Sequence, residues 1–398
     1  MAGFDEIIDR LGTNSVKWDS RDKVFGTSDV LPLWVADMDF PCPPEVVEAI
    51  VKRAQHPIYG YPGDNSALFE AAKGWISRRF GAEVHTDWMV AIPGVVPGIQ
   101  VAVEAFTKPG DKVIIQPPVY PPFFATSENL GRRIVENPLK VVDGKYVMDF
   151  EDLQRKIDHR TKLLVLCSPH NPLGRVWANE DLRQLGEICA EKGIIVIADE
   201  IHSDLVYEKG AHTPFYTISE KLANQSLTFI SGSKTFNLAG LFTSLAIAEN
   251  PVLRNEFQVA VSKAGLNHIN IFGIEATIAA YNHGDKWLDE LLEYLHENAV
   301  YAHEFISKKI PEIKVAIPEA TYLAWLDFRE LGLYGQDLRN FLIREAKVGL
   351  NDGFHFGKQG DGFARLNFGC SRATLKEALE RLENAVNAYK ESKLSKSK

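Results

Sequence analysis

The chain has 398 residues, 45% of them hydrophobic, which exceeds the length of one average domain and allows a sizeable core. Its formal net charge of −9 gives no basic field to hold nucleic acid, so nucleic acid is not expected as a partner. No apolar run approaches the roughly 18 residues that a membrane span needs, and the acidic N-terminus does not read as a signal peptide. We therefore expect a soluble cytoplasmic protein. Its four scattered cysteines form no C-x-x-C motif, so neither disulfides nor a metal site are expected.

Short apolar runs in the middle of the chain predict buried strands. They lie at 112–116, 162–168, 193–199, 227–231 and 243–248. Their apolar character is continuous rather than alternating, as a sheet covered on both faces requires. Helical patterns separate several runs, most clearly at 178–193, where Gly193 stands just past the expected helix end. This order predicts an α/β fold with a large, doubly wound, mostly parallel sheet.

The chain after about residue 285 predicts a smaller α+β domain. A long helix ends at Pro311, and strands with alternating faces follow at 314–328 and 362–370. The last helix is predicted to open with a capping box formed by Thr374 and Glu377. We expect the N-terminal segment to pack near this domain. The predicted boundaries are residues 46–285 for the large domain, and residues 1–45 together with 286–398 for the small one.

Polar side chains follow the apolar runs at the points where strands should end. Ligands in open α/β sheets bind at the carboxyl ends of the strands, so these side chains are candidates for one site. Each alone has a structural explanation, such as a turn residue, a helix cap or a packed aromatic ring. Their coincidence at one edge of the sheet favours a single functional site. The residues are Tyr120, Asn171, Asp199, His202, Ser231, Ser233 and Lys234.

Pyridoxal phosphate is the cofactor that needs these residue types. Its aldehyde needs a lysine amine such as Lys234, and its pyridine nitrogen needs a carboxylate such as Asp199. Asn171 can donate to the ring oxygen, and Tyr120 can stack on the ring. The phosphate needs hydroxyls and free backbone N–H groups, which a helix beginning after Gly94 would supply together with its dipole. No phosphate-binding P-loop, dinucleotide fingerprint or H-E-x-x-H zinc motif is present as a competitor.

Several motifs resemble a known family. SPHNPLG, ADEIH, SGSKTFNLAG and ARLNFG are similar to those of the fold-type I pyridoxal-phosphate enzymes, the aspartate-aminotransferase superfamily. Within it, LPLWVADMDFPCPPEV, HPIYGY, IPGVVPG and PEATYLAWLDF resemble the MalY/PatB-type cystathionine β-lyases. The resemblance covers nearly the whole chain. It implies a small amino-acid substrate and a homodimer with its active sites at the subunit interface.

The resemblance also implies a role for each site residue. Lys234 is the catalytic residue, which binds the cofactor as a Schiff base and shuttles the proton at the substrate α-carbon. Arg365 binds the substrate carboxylate, while Ala36 and Asp37 line the substrate entrance, and Tyr61 reaches the phosphate of the neighbouring subunit. The remaining cofactor contacts are Asp199 at the pyridine nitrogen, Asn171 and His202 at the ring oxygen, Tyr120 on the ring face, and Val95, Val96, Ser231 and Ser233 at the phosphate.

One position departs from the aminotransferase pattern. Many aminotransferases carry an arginine eight residues after the Schiff-base lysine, where it pairs with the phosphate, and this chain has Phe242 there. The phosphate would then depend on hydroxyls, backbone N–H groups and the helix end. This departure counts against a simple aminotransferase.

The activity that the resemblance implies is an α,β-elimination. Cystathionine, or another S-substituted cysteine, would be split into a thiol, pyruvate and ammonia. Three alternatives stay open from the sequence. The first is an aminotransferase, which uses the same residues; the second is additional regulatory binding of a transcription activator; the third is an inactive scaffold, against which the complete residue set argues.

Overall fold

The computed structural model describes residues 3–396, which form a central seven-stranded sheet and three smaller sheets. The strands are β1 (Leu31–Pro32), β2 (Met89–Ile92), β3 (Lys112–Ile115), β4 (Arg133–Glu136), β5 (Lys140–Val142), β6 (Lys145–Val147), β7 (Thr161–Cys167), β8 (Ile195–Asp199), β9 (Ser226–Ile230), β10 (Ser244–Ile247), β11 (Leu323–Asp327), β12 (Val348–Gly349), β13 (Asn351–Asp352) and β14 (Phe363–Asn367).

The helices are α1 (Val16–Asp19), α2 (Arg21–Phe25), α3 (Pro44–Ala54), α4 (Ser66–Phe80), α5 (Val95–Phe106), α6 (Pro122–Glu128), α7 (Phe150–Lys156), α8 (Asn179–Glu191), α9 (Glu220–Ala223), α10 (Gly232–Thr235), α11 (Pro251–Lys263), α12 (Ile271–His283), α13 (Asp285–Lys309), α14 (Gly335–Asn340) and α15 (Arg372–Lys396). Short 3₁₀ turns lie at Thr86–Trp88, Phe215–Thr217, Ala239–Leu241, Arg329–Leu331, Gly353–Phe356 and Lys358–Gly360, and a π-helical turn spans Phe341–Glu345.

The central sheet has the order β2–β10–β9–β8–β7–β3–β4. Only β10 runs antiparallel to its neighbours, and all the other pairings in this sheet are parallel. The five predicted strands are β3, β7, β8, β9 and β10, so the predicted fold class is confirmed. Two members of this sheet, β2 and β4, are not predicted from the sequence. β2 is a short run that leads directly into the turn at Gly94, and β4 is a polar edge strand.

Both faces of the sheet are covered, which explains the continuous apolar runs. Along β7, Leu163 and Val165 enter one hydrophobic core, while Leu164 and Leu166 enter another on the opposite face. Helices α5 and α11 contribute to the first core, and α8 contributes to the second. A strand of this kind has no solvent-facing side, and therefore every position favours an apolar residue.

The C-terminal part of the chain forms a three-stranded antiparallel sheet in the order β11–β14–β13. The N-terminal segment packs against this C-terminal part of the chain. Strand β1 pairs with β12 in a separate two-stranded sheet, and Leu33 shares a core with residues of β11 and α15. Helix α13 ends before Pro311, as predicted. The predicted strand at 314–328 is mostly irregular, and only Leu323–Asp327 forms the strand β11.

The predicted capping box at the start of the last helix is wrong. Helix α15 begins at Arg372, and Ser371 is the capping residue, because its Oγ accepts a hydrogen bond of 3.2 Å from the Thr374 backbone N–H. Glu377 instead pairs with Arg381 one turn further along the helix. Over residues 3–396, every helix is too short or too polar to cross a lipid bilayer.

Candidate active site

Lys234 lies on the short helix α10, which begins directly after the carboxyl end of β9. Ser231 caps this helix, since its Oγ accepts a hydrogen bond of 3.1 Å from the Ser233 backbone N–H. The Nζ of Lys234 donates a hydrogen bond of 2.7 Å to the Ala36 carbonyl. Burial lowers the pKa of Lys234 to about 8, although the nearby carboxylates of Asp37 and Asp199 act to raise it. The amine is therefore far easier to deprotonate than an exposed lysine.

Asp199 is the last residue of β8, next to the strand that leads to Lys234. The side chain is buried, and its Oδ1 accepts a hydrogen bond of 3.1 Å from the Ile201 backbone N–H. Burial raises the pKa of Asp199 to about 7, and the charge of Lys234 only partly opposes this. Because burial disfavours the ionised carboxylate, a cationic or N–H partner that enters the cavity would stabilise the anion of Asp199.

Arg365 lies on β14, and its guanidinium is buried. One terminal nitrogen donates to Asn171 Oδ1 at 3.0 Å, and the other donates to the Trp34 carbonyl at 2.8 Å and to Asn351 Oδ1 at 2.9 Å. Its Nε has no hydrogen-bond partner, and none of the acidic side chains in residues 3–396 forms an ion pair with it. Burial lowers the pKa of Arg365 to about 10. A buried cation without a counter-ion is suited to binding an anionic ligand group.

His202 and Tyr120 line the cavity, and Tyr322 contacts His202 and Ala36. His202 is 2% exposed, and its Nδ1 has no hydrogen-bond partner among residues 3–396. Burial lowers its pKa to about 3, so the ring is neutral. The Tyr322 hydroxyl donates to the Ala36 carbonyl at 2.9 Å, and its ring stands edge-on to His202. Tyr120 lines the same cavity, where burial raises the pKa of its hydroxyl.

The first turn of α5 forms another part of the cavity wall. Gly94, the residue before this helix, has φ +117°, which a residue with a side chain rarely adopts. Val95 and Val96 begin the helix and line the cavity, so unpaired backbone N–H groups of its first turn lie at this part of the wall. Ser233 and Phe242 also line the cavity.

The predicted site residues divide into those that line one cavity, one that adjoins it and three that lie outside it. Those that line one cavity are Ala36, Val95, Val96, Tyr120, Asn171, Asp199, His202, Ser233 and Lys234. Arg365 adjoins them through Asn171. Asp37 instead forms an ion pair with Arg10, while Ser231 lies outside the lining, with its Oγ 2.8 Å from the Thr243 carbonyl. Tyr61 is 90% exposed and does not line the cavity of its own chain.

Several residues at this site were not predicted. Cys167 and Thr243 line the cavity. Tyr322 contacts Ala36, which also lines it, and Asn351 contacts Arg365, which adjoins it. Cys167 ends β7, so the rule that ligands bind at strand ends would have identified it. No local pattern marks Tyr322 or Asn351, because both come from the C-terminal sheet region and meet the site only in the folded chain.

A family model described as aminotransferase class I and II matches residues 28–382. The chain belongs to this family. This agrees with the resemblance of the sequence motifs to the aspartate-aminotransferase superfamily. The matched region contains every predicted site residue from Ala36 to Arg365.

Individual relatives extend the similarity over almost the whole chain. The chain is 45% identical to cystathionine beta-lyase PatB from Bacillus subtilis over 385 residues, which cover 96% of this chain and 100% of that protein. Among solved structures, cystalysin from Treponema denticola, which contains a pyridoxal 5′-phosphate cofactor, is 36% identical with a TM-score of 0.94, covering 98% of this chain and 99% of cystalysin. The PLP-bound C–S lyase from Staphylococcus hominis is 33% identical with a TM-score of 0.90, covering 96% and 97% of the two chains.

Proposed function

We propose that this protein is a pyridoxal-5′-phosphate-dependent carbon–sulfur lyase of the cystathionine β-lyase type. It releases a thiol from cystathionine or a related S-substituted cysteine by α,β-elimination, and water hydrolyses the remaining aminoacrylate to pyruvate and ammonia. The observation that carries this proposal is the 45% identity to PatB over the full length of that protein. The geometry of the cavity agrees with it, because each group that the reaction needs has a side chain of suitable chemistry.

The residues present fit the cofactor. Within residues 3–396, His202 Nδ1 is buried without a hydrogen-bond partner, and the first turn of α5, whose N–H groups could bind a phosphate, lines the cavity. Val95 and Val96 would hold the phosphate with Ser233, and Ser231 would support Ser233 rather than contact the phosphate. When bound, the cofactor withdraws electrons from the substrate α-carbon and makes its proton acidic.

Three side chains would hold the ring. Asp199, whose pKa burial raises to about 7, would become a stable anion opposite the pyridine nitrogen. Asn171 would donate its side-chain amide to the ring oxygen, because its Oδ1 is already used by Arg365. Tyr120 would cover one face of the ring.

Lys234 is the proposed base. It would hold the cofactor covalently and, once released by the substrate, take the proton from the substrate α-carbon. An amine acts as a base only when neutral, and the lowered pKa of about 8 makes this state accessible. Arg365 would bind the substrate carboxylate, for which its unpaired Nε and missing counter-ion leave room.

The test is a product assay on the purified protein. With cystathionine as substrate, we expect a thiol and pyruvate in equal amounts, with no requirement for an added oxo acid. Lys234→Ala should abolish this turnover. A native enzyme that turns over only when an oxo-acid acceptor is present would refute the lyase assignment.

An aminotransferase is the second candidate, and the family description favours it. It would use the same residues as far as removal of the α-proton, and would then return that proton to the cofactor. The position of Phe242, where many aminotransferases are expected to carry an arginine, counts against it. Formation of a new amino acid from an oxo acid, measured alongside pyruvate release, separates the two. Regulatory binding of a transcription activator stays a prediction.

The protein is also proposed to be a homodimer in the cytoplasm. The segment 55–64 carries the exposed side chains of Ile58, Tyr59 and Tyr61, and the Tyr59 ring packs 5.6 Å from Phe272 on α12. A contiguous exposed apolar segment favours a protein interface. Tyr61 would then reach the phosphate of the neighbouring subunit. The four cysteines are free thiols, which suits a reducing compartment. The division into residues 46–285 and residues 1–45 with 286–398 is part of the same proposal.

A further inference from the structure

A cluster of one buried and three half-buried charges lies beside the segment that carries Ala36. Lys17 is fully buried, and its Nζ lies 2.7 Å from Asp39 Oδ2 and 3.9 Å from Asp37 Oδ1. Arg10 binds both oxygens of Asp37, at 3.0 and 2.9 Å, and Asp39 Oδ1 at 2.6 Å. We call these four residues the N-terminal ion cluster. Buried charges are tolerated only in well-made pairs, so the cluster holds the chain near residue 37 in one position.

The same segment is held from two other directions. Asn367, on β14, donates from its Nδ2 to the carbonyls of Val35 and Asp37, each at 2.6 Å. Asn237, three residues after Lys234, accepts from the Met38 backbone N–H at 3.0 Å. The carbonyl of Ala36 therefore lies between two anchored residues, and this is the carbonyl that accepts the hydrogen bond from Lys234 Nζ.

We propose that Arg10 and Lys17 are positioning residues for the reaction. They hold the Ala36 carbonyl where it accepts one N–H of the released Lys234 amine, which directs the lone pair of that amine towards the substrate α-carbon. This proposal rests on the proposed function. Neither residue touches the cavity, and both act through Asp37 and Asp39.

The cluster also acts on the charge of Lys234. The charged and titratable groups facing Lys234 are Asp37, Asp199, Arg365 and His202. Asp37 stabilises the ammonium form, and Lys17 and Arg10 neutralise Asp37. Loss of Lys17 would leave more uncompensated negative charge next to Lys234. The ammonium form would then be favoured, and Lys234 would deprotonate at higher pH.

The experiment compares Lys17→Met with a matched control. Lys347→Met removes a lysine that also ties the N-terminal segment to the C-terminal region, through Asp29 at 2.7 Å, but these side chains are 53% and 69% exposed. For each full-length chain freed of cofactor, the rate at which added pyridoxal 5′-phosphate attaches to Lys234 is measured against pH by absorbance. Borohydride reduction and peptide mapping identify the attachment site.

Attachment requires the neutral amine, so the midpoint of this profile reports the deprotonation of Lys234. We expect a midpoint near pH 8 in the native chain and in Lys347→Met. In Lys17→Met we expect a rise of about one pH unit, as for the loss of one nearby compensating charge. The holoenzyme of Lys17→Met should also show kcat lowered about 10- to 100-fold with KM little changed, because a misplaced base slows the chemical step.

An unchanged midpoint in a folded Lys17→Met chain would refute the positioning role, whatever the turnover. If Lys17→Met does not fold, Arg10→Gln and Arg10→Lys replace it. The same upward shift is expected in Arg10→Gln, with recovery in Arg10→Lys, which keeps the charge; equal midpoints in these two variants and the native chain would refute the role. Absence of thiol release by the native enzyme would instead refute the proposed function, and this result is read independently of the midpoints.

Discussion

Arg365 and Asn171 are 194 residues apart in the chain, yet Arg365 Nη1 donates a hydrogen bond of 3.0 Å to Asn171 Oδ1. This bond joins the end of the central sheet that carries Asn171 to β14 of the C-terminal sheet. It places the proposed carboxylate-binding group next to the proposed contact to the cofactor ring. Substrate and cofactor would therefore be bound side by side, with one shared polar wall.

Arg365 is expected to determine the affinity for substrate. Arg365→Lys keeps a positive charge but loses the planar fork, and Lys cannot bind a carboxylate through two parallel bonds. We expect kcat/KM for cystathionine to fall about 10- to 10²-fold, mostly through KM, since a lost hydrogen bond to a charged group costs roughly 1.5–3 kcal/mol. Steady-state kinetics measure this. Arg329→Lys, at an exposed arginine paired with Asp327, is the control and should leave both parameters unchanged. A fall in kcat alone would contradict a carboxylate-binding role.

Asp199 is expected to destabilise the cofactor-free fold. Its pKa in the folded chain, about 7, lies above the ordinary value of 3.8, so between about pH 4 and pH 7 the folded chain holds a proton that the unfolded chain releases. Stability contributed by this group is therefore lost as the pH rises through that window, by up to about 4 kcal/mol. The cofactor-free Asp199→Asn chain should be more stable than the native chain at pH 8 and nearly equal to it at pH 4.5. Urea unfolding at both pH values measures the difference.

The control for this prediction is Asp289→Asn, which removes an exposed carboxylate and should show no such pH-dependent gain. With cofactor bound, Asp199→Asn should lose about 10²- to 10³-fold in kcat, because the amide cannot stabilise a protonated pyridine nitrogen. Greater stability with lower activity would identify Asp199 as a residue kept for function. An Asp199→Asn chain that is less stable at pH 8 would show that the carboxylate is not strained in the fold.

Phe242 offers a test of how the phosphate is held. Its side chain is 61% exposed and lines the cavity. Phe242→Arg should add one charge-assisted contact to the phosphate and tighten binding of pyridoxal 5′-phosphate about tenfold, most clearly at low salt. Fluorescence titration of the cofactor-free chain measures the affinity. Phe242→Gln introduces a polar side chain without charge and serves as the control; equal affinities for the two variants would place the phosphate elsewhere.

Tyr61 is expected to serve the active site of the other subunit. Neither Tyr61→Ala nor Lys234→Ala should be active alone. In a hybrid dimer of the two, one site would combine a native Lys234 with a native Tyr61. Random mixing after unfolding and refolding should then restore about one quarter of the native specific activity, since half of the dimers are hybrids and each has one intact site. No recovery in a mixture shown to contain hybrid dimers would mean that Tyr61 acts within its own chain.

Much of the central sheet was predictable because buried parallel strands have a strong local signature. The runs at β3, β7, β8, β9 and β10 are apolar at nearly every position, and both faces of these strands are covered in the structure. β2 and β4 lack so clear a signature, because β2 is a short run that leads directly into a turn and β4 is a polar edge strand. The capping box was misplaced because Ser371 and Thr374 both suit a helix start, and only the helix boundary decides between them.

The sequence by itself determined the family, the sheet, and the polar residues at the ends of its strands. The strands and the turns after them depend on residues that are neighbours in the chain. A few adjacent residues are enough to predict a strand that ends in Asp199 or a turn that carries Lys234. The tertiary structure decided which distant groups meet them. It brought the Ala36 carbonyl to Lys234, Arg365 to Asn171, and the buried Lys17 beside the segment next to the site. Such contacts arise when separate elements pack and exclude water, and no local periodicity encodes them.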